Sequence, residues 1–245
     1  EKGVPYVEKT HTGRLFYAKR VSYDRKNHIY NRRNVVKWRK RKFAENGETA
    51  DLEKEETNMY FGVQMYGVSK EWKQDPEGFL KKIYEAGYRQ IEPCLGFRVD
   101  ARDYGFWIPE DLEQAMPLLA KYHIEVHAVH IFLDEYHYER ELTILTELAQ
   151  KYHISWFVVK SPARLTKDVL DETAARYREL AEELEKAGAG LLIHNEKEDI
   201  CIRVNGKTAY EYLLEACGEK VGAEVDAGWM YCCLLYTSPS PRDIS

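Results

Sequence analysis

Side chains that could bind a cation or move a proton follow two short apolar runs in the C-terminal part of the chain. Residues 191–193 are followed by His194, Asn195, Glu196 and Glu198, and residues 221–225 are followed by Asp226. Carboxylates and imidazoles bind divalent cations and also act as acids and bases. If the first run stays extended, His194, Glu196 and Glu198 share one face. The pattern predicts that acid and imidazole groups converge at the ends of two strands.

A helix-patterned segment at residues 208–217 separates the two runs, which indicates a strand, helix, strand unit. In the second run Glu224 lies on the same face as Asp226. The polar residues are therefore at the carboxyl ends of the strands, where α/β proteins place their ligand sites.

The same alternation continues upstream. Further strands are predicted at residues 60–68, 90–93, 125–132 and 156–160, with helices at 75–87, 110–122, 138–152 and 170–187. Short apolar strands that alternate with helices imply a parallel sheet, and the regularity favours a barrel over an open sheet. We predict an α/β fold: an incomplete (β/α)8 TIM barrel of about six βα units over residues 59–232.

Composition indicates a globular chain of barrel size. The 245 residues are 44% hydrophobic and 31% charged, and a (β/α)8 barrel needs about 250 residues. Apolar runs fall short of the roughly 20 residues that cross a bilayer, and the N-terminus lacks a signal-peptide core, so we expect a cytoplasmic protein with no membrane partner. The five cysteines have no CxxC spacing and predict neither disulfides nor a zinc knuckle.

Residues 1–58 are rich in Lys, Arg and aromatic residues. One interpretation is an arm that binds nucleic acid through phosphate contacts and stacking. The other is a translated leader, because Met59 is the first methionine and purine-rich codons before it resemble a bacterial ribosome-binding site. We prefer the leader, so this segment is expected to be disordered or non-native and nucleic acid is not an expected partner.

Residues 233–245 contain Pro239 and Pro241 in a serine-rich context, and no helix is predicted after the second run. This C-terminal segment resembles a translated sequencing adapter. We expect a non-native tail that replaces the rest of the natural chain.

Six sequence segments together resemble the sugar phosphate isomerase/epimerase family of xylose isomerase-like barrels. They are GVQMYGV, DPEGFLKKIYEAGYRQIE, DLEQAMPLLAKYHIEVHAVH, RELAEELEKAGAGLLIHN, GKTAYEYLLEA and VGAEVDAGW, and they span about residues 60–231. The resemblance implies a barrel that uses a divalent metal (Mn, Mg, Zn or Co). It also implies an isomerase or epimerase for a small-molecule sugar, sugar phosphate or inositol derivative, and a homo-oligomer when full-length.

The family's metal ligands follow strands five to eight. By resemblance Asp226 matches the strand-six ligand, whereas the strand-five acid is Glu196 or Glu198, with Asp199 as a third alternative. His194 and Asn195 match a His-Asn pair that supports the metal or the substrate. The ligands of strands seven and eight have no counterpart, so the chain is expected to be inactive as truncated.

Proton transfer beside a carbonyl needs a base, a proton donor and positive charge for the developing oxyanion. Catalytic candidates are Glu196, Glu198 and His130, and substrate-binding candidates are Glu92, Tyr66, His194, Asn195 and Trp229. Each has a structural alternative: a helix cap or surface charge for an acid, a buried hydrogen-bonded histidine, or a core aromatic. Rival functions are an apurinic endonuclease-like phosphodiesterase, which needs more histidines, and non-catalytic nucleic-acid binding by the basic arm.

Overall fold

Short apolar strands and amphipathic helices alternate along the chain. The computed structural model describes residues 17–19, 61–133 and 137–237. The strands are β1 (Tyr17–Lys19), β2 (Gly62–Gln64), β3 (Gln90–Glu92), β4 (Cys94–Gly96), β5 (Glu125–Val126), β6 (Ala128–Phe132), β7 (Trp156–Lys160), β8 (Gly190–His194), β9 (Arg203–Val204), β10 (Lys207–Thr208) and β11 (Val221–Val225). The helices are α1 (Ser69–Gln74), α2 (Pro76–Glu85), α3 (Pro109–Lys121), α4 (Tyr138–Tyr152), α5 (Lys167–Lys186), α6 (Lys197–Cys201), α7 (Ala209–Cys217) and α8 (Ala227–Thr237), with 3-10 helices at Tyr66–Val68, Val99–Tyr104 and Gly218–Lys220.

Within the described ranges the chain crosses the sheet six times in the same direction. Each of these strand crossings, some of them made of two short strands, is followed by helix. β3 and β4 form one crossing interrupted at Pro93, and β5 and β6 form another interrupted at His127. Parallel pairing runs β2–β3–β5 and β4–β6–β7–β8–β11, so each crossing lies beside its sequence neighbour. This is a partial (β/α)8 barrel, which confirms the predicted fold class. β1 pairs antiparallel with β11.

The two faces of the sheet contact different parts of the protein. Strand residues that face the helices join one core with them, and they are Val129, Ile131, Phe157, Val159, Leu191 and Ile193. The alternate residues Val158 and Leu192 are also buried but lie outside that core, because successive strand residues point to opposite faces. The second face is therefore the inside of the barrel.

Glycines give room to large side chains on this inner face. A Cβ on Gly190 would lie 2.4 Å from Cζ3 of Trp156, and a Cβ on Gly222 would lie 2.7 Å from Cδ2 of Leu192. Each large side chain therefore occupies space left by the glycine of the next strand. Interior layers of this kind fill a barrel and support whatever lies at its mouth.

One strand prediction is wrong at its C-terminal end, and the condition for a shared face after residue 193 is not met. The strand predicted at residues 60–68 stops at Gln64, because the chain turns into the 3-10 helix Tyr66–Val68. Extension also ends at His194: the backbone N–H of Glu196 donates to Oδ2 of Asp199 at 3.0 Å, which caps α6. Glu196 and Glu198 therefore do not share a strand face with His194.

The C-terminal helix was not predicted. Oδ1 of Asp226 accepts hydrogen bonds from the N–H groups of Gly228 (2.7 Å) and Trp229 (3.0 Å), so α8 begins directly after β11. Because α8 ends at Thr237, the predicted tail boundary at residue 233 falls inside a helix. The rest of the predicted tail, and the predicted leader apart from β1, lie outside the described residues. No helix in the described part is both long and apolar enough to cross a membrane.

Candidate metal centre

Strand register places polar residues at one level of the barrel mouth. Lys160 of β7 pairs with His194 of β8, and His194 pairs with Glu224 of β11. His130 of β6 lies on the same inner face, because it pairs with Val158, two residues before Lys160. These residues come from separate βα units, and only the sheet brings them together.

Glu92, His130 and Glu224 form a buried cluster on the inner face. One ligand atom from each lies within 4.8 Å of the others. The residues are only 7%, 4% and 2% exposed, and Nδ1 of His130 lies 3.6 Å from Oε1 of Glu92. Two carboxylates and an imidazole from three strands are thus shielded from water on the inner face.

The cluster has unused hydrogen-bonding capacity. Oε1 of Glu92, Oε1 of Glu224 and both ring nitrogens of His130 have no hydrogen-bond partner among the described residues. Each unsatisfied buried polar atom costs about 1–3 kcal/mol. A divalent cation would satisfy the two carboxylate oxygens and one ring nitrogen of His130, and oxygen plus imidazole donors suit Mn, Mg, Zn or Co. The residues present therefore fit a divalent metal ion.

Electrostatics in the cluster favour an added positive charge. Burial raises the pKa of Glu224 well above its ordinary value, and the neighbouring charges of Glu92 and Asp226 raise it further. Glu224 thus keeps its proton to higher pH than an ordinary glutamate. A bound cation would have to displace that proton.

A second imidazole lies beside the cluster. The ring centroid of His194 is 5.4 Å from that of His130. Nε2 of His194 lies 3.6 Å from Oδ2 of Asp226, and Nδ1 lies 3.8 Å from Oε1 of Glu196. The side chain of Glu196 is 34% exposed whereas that of Asp226 is 8% exposed, so Glu196 is the more accessible carboxylate of the two.

Asn195 holds the ends of two strands together. This residue is 0% exposed, its Oδ1 accepts from the N–H of Asp226 at 2.8 Å, and its Nδ2 donates to the carbonyl of Asp226 at 3.4 Å. The backbone of Asp226 is thereby fixed next to His194. Of its carboxylate oxygens, one caps α8 and the other faces the imidazole.

Most of the predicted site residues converge. The structure brings together Glu92, His130, His194, Asn195, Glu196 and Asp226 at the barrel mouth. Glu198 lies exposed on α6, and the carboxylate of Asp199 caps that helix. Assignment of Asp226, Glu196 and Glu198 as metal ligands stays a prediction.

Glu224 is the site residue that sequence reasoning did not select. It is the acid of the apolar run VGAEV and lies two residues before Asp226, which was noticed only as a shared face. A single acid in an otherwise apolar strand is a signal that could have identified Glu224. Burial of an isolated carboxylate costs free energy, so such a residue usually has a partner or a function.

Aromatic residues form a wall beside the cluster. The ring of Phe132 stacks on Phe106 at 4.3 Å and on His130 at 5.2 Å, and Tyr66 lies 5.7 Å from Phe106. A cavity of about 240 Å³ opens between Phe132, Phe106 and the loop that carries Arg98. Of the two aromatic residues predicted to bind substrate, Tyr66 is 53% exposed and Trp229 is half-buried on α8.

Fold and geometry define a partial (β/α)8 barrel with a candidate divalent-metal centre at the carboxyl ends of its strands. No protein-family model and no curated protein matches the chain. Among solved structures it is similar to a sugar phosphate isomerase/epimerase from Parabacteroides distasonis, with 20% identity, a TM-score of 0.57 and coverage of 71% of this chain and 67% of that one. This likeness confirms the resemblance at the level of fold.

Two further solved structures have lower scores. An L-ribulose 3-epimerase shows 17% identity and a TM-score of 0.47, covering 70% of this chain and 61% of that one. A xylose isomerase-like TIM barrel protein from Mycobacterium smegmatis in complex with magnesium shows 16% identity and a TM-score of 0.43, covering 63% and 56%. This chain thus spans between 56% and 67% of the length of the three structures.

Proposed function

We propose that the chain carries the metal site of a divalent-metal-dependent sugar isomerase or epimerase that moves a proton beside a carbonyl. The observation that carries this proposal is the buried cluster of Glu92, His130 and Glu224, in which one ligand atom from each residue lies within 4.8 Å of the others. These residues would hold Mn, Mg, Zn or Co. When bound, the ion supplies positive charge for the oxygen that becomes negative as the proton leaves carbon.

Glu196 is the base in this proposal. Its side chain is accessible to a ligand in the mouth, and Oε1 lies beside Nδ1 of His194. His194 lies between Glu196 and Asp226 and positions the base, as an imidazole between two carboxylates can exchange a proton with either. The rings of Phe132 and Phe106 exclude water from one side of the mouth and offer an apolar surface to the C–H face of a sugar.

The comparisons support the general reaction through fold alone. The structure with a TM-score of 0.57 is described as a sugar phosphate isomerase/epimerase, and its name suggests a sugar or sugar phosphate as the substrate class. A small-molecule sugar as substrate, a soluble cytoplasmic location and a homo-oligomer are parts of the proposal.

Solvent exchange tests the proton-transfer step without requiring full turnover. D-Fructose or D-fructose 6-phosphate is incubated with the protein and Mg²⁺ in D₂O, and loss of the C3 and C1 proton signals is followed by NMR. We expect exchange that stops with EDTA and falls by at least 100-fold in Glu196→Gln, since removal of a general base costs about 10²–10⁴. Glu219→Gln removes an exposed acid elsewhere and should exchange normally. Exchange that continues in EDTA would contradict the proposal.

The phosphodiesterase alternative finds no support among the described residues. They contain one group of three side chains that could hold a metal ion, and that group has one histidine. The basic arm invoked for nucleic-acid binding lies outside the described residues except at β1.

A further inference from the structure

Lys160 occupies an unusual position at the mouth of the barrel. It is the last residue of β7 and, among the described residues of β2–β8 and β11, the only lysine or arginine. Register with His194 places it on the inner face, and its Nζ lies 5.2 Å from the ring centroid of Phe132. The ammonium group therefore projects into the same mouth as the proposed metal site.

Lys160 contacts the ring of Phe132 but has no carboxylate partner among the described residues. The residue is exposed, and it forms no ion pair with any described carboxylate although several acids lie at the same strand ends. Its backbone is fixed, because the hydroxyl of Tyr177 donates to its carbonyl at 2.6 Å. Because the strand end is held and the ammonium has no carboxylate partner, the ammonium is available to an anion that enters the mouth.

We propose that Lys160 binds an anionic group of the substrate, a phosphate or a carboxylate, so that the substrate is an acidic sugar. This inference rests on the proposed function, because it takes the other end of the sugar to lie at Glu92, His130 and Glu224. Glu224 and Lys160 lie on strands separated only by β8, so their backbones are about 10 Å apart. An extended sugar with a terminal anionic group spans such a gap.

The neighbouring acids determine when the anion can bind. Without a cation, the carboxylates of Glu92, Glu196 and Asp226 would repel a phosphate or carboxylate at the mouth. Two positive charges at the cluster reduce this repulsion. Binding of an acidic sugar is therefore expected to be tighter with the divalent ion, whereas a neutral sugar gains little from Lys160.

Calorimetric titration of the intact chain tests the inference. The probes are D-fructose 6-phosphate, D-galacturonate and neutral D-fructose, each with and without Mn²⁺, and Mn²⁺ is also titrated alone. In wild type with Mn²⁺ we expect at least one anionic probe to bind about tenfold or more tightly than fructose, since hydrogen bonds to charged groups contribute about that factor. Lys160→Met should abolish this advantage, Lys160→Arg should keep most of it, and Lys82→Met, an exposed charge on α2, should keep all of it.

The outcomes separate the two proposals. Loss of the fructose 6-phosphate advantage alone in Lys160→Met identifies a phosphate site, and loss of the galacturonate advantage alone identifies a carboxylate site. If wild type binds no anionic probe better than fructose, or if Lys160→Met binds as wild type does, the role of Lys160 is refuted. If Mn²⁺ alone does not bind, the proposed metal function fails, whatever the variants show.

Discussion

Replacing Glu224 with glutamine should remove one pH-dependent loss of stability and weaken the stabilisation by metal. Glu224 is 2% exposed, and burial beside Glu92 and Asp226 raises its pKa above the ordinary 4.5. A carboxyl with a raised pKa in the folded state contributes stability that is fully present below the unfolded pKa. That stability is lost as pH rises towards the folded pKa, because the folded state must hold a proton that the unfolded state has released.

The size of the effect follows from the number of protons involved. For one group, each pH unit between 4.5 and the folded pKa lowers the free energy of unfolding of the metal-free protein by about 1.4 kcal/mol. Glu224→Gln carries no such charge, so it should be more stable than wild type above pH 5 and the difference should grow with pH. Metal at 100 times its Kd should stabilise wild type by about 2.7 kcal/mol. The variant lacks one of three ligands and should gain far less.

Urea unfolding at pH 5, 6, 7 and 8, in EDTA and in Mn²⁺, measures both effects. Glu219→Gln removes an exposed acid and should follow wild type in both conditions. A Glu224→Gln variant that is less stable than wild type at pH 8 in EDTA would refute the argument that burial makes this charge costly. Equal stabilisation of both proteins by Mn²⁺ would refute Glu224 as a ligand.

Three other substitutions test the scaffold by urea unfolding. Leu184→Ala, at a fully buried position of α5, should lower the free energy of unfolding by about 2–5 kcal/mol, and a loss below 1 kcal/mol would contradict its place in the core. Gly190→Ala puts a Cβ 2.4 Å from Trp156 and should cost about 1–3 kcal/mol, so an unchanged midpoint would show that the indole can move. Asn195→Ala leaves the N–H of Asp226 unpaired and should cost about 1–3 kcal/mol; retention of full stability would mean that the hydrogen bond is unimportant.

Elements with strong local signals could be predicted from sequence. The helix at residues 138–152 and the strand at residues 156–160 match α4 and β7 because apolar periodicity and length agree there. The strand expected at residues 60–68 was too long, since its aromatic residues suit a strand but tertiary contacts, including Met65 N–H to the carbonyl of Glu92, turn the chain. Local pattern cannot report such a long-range bond.

The sequence predicted where the candidate site lies but not all of the residues that form it. The rule that ligand sites lie at strand ends selected His130, His194 and Asp226, and the structure places His194 beside both of the others. A shared face for His194, Glu196 and Glu198 depended on extension past His194, whereas the cap formed by Asp199 on the backbone of Glu196 starts a helix. Because the cluster joins the second, third and sixth strand crossings, only register and barrel curvature could show that Glu224 belongs to it.

The fit of Trp156 into the space above Gly190 links two positions that lie on adjacent strands. Any change in the bulk of one has to be matched by an opposite change in the other, because the interior has little spare volume. Substitutions in this interior layer must therefore occur in pairs. Phe132, Lys160 and Glu224, nearer the mouth, lie on separate strands. The chemistry at the mouth is thus free to diverge one residue at a time while the layer beneath it is inherited as a unit.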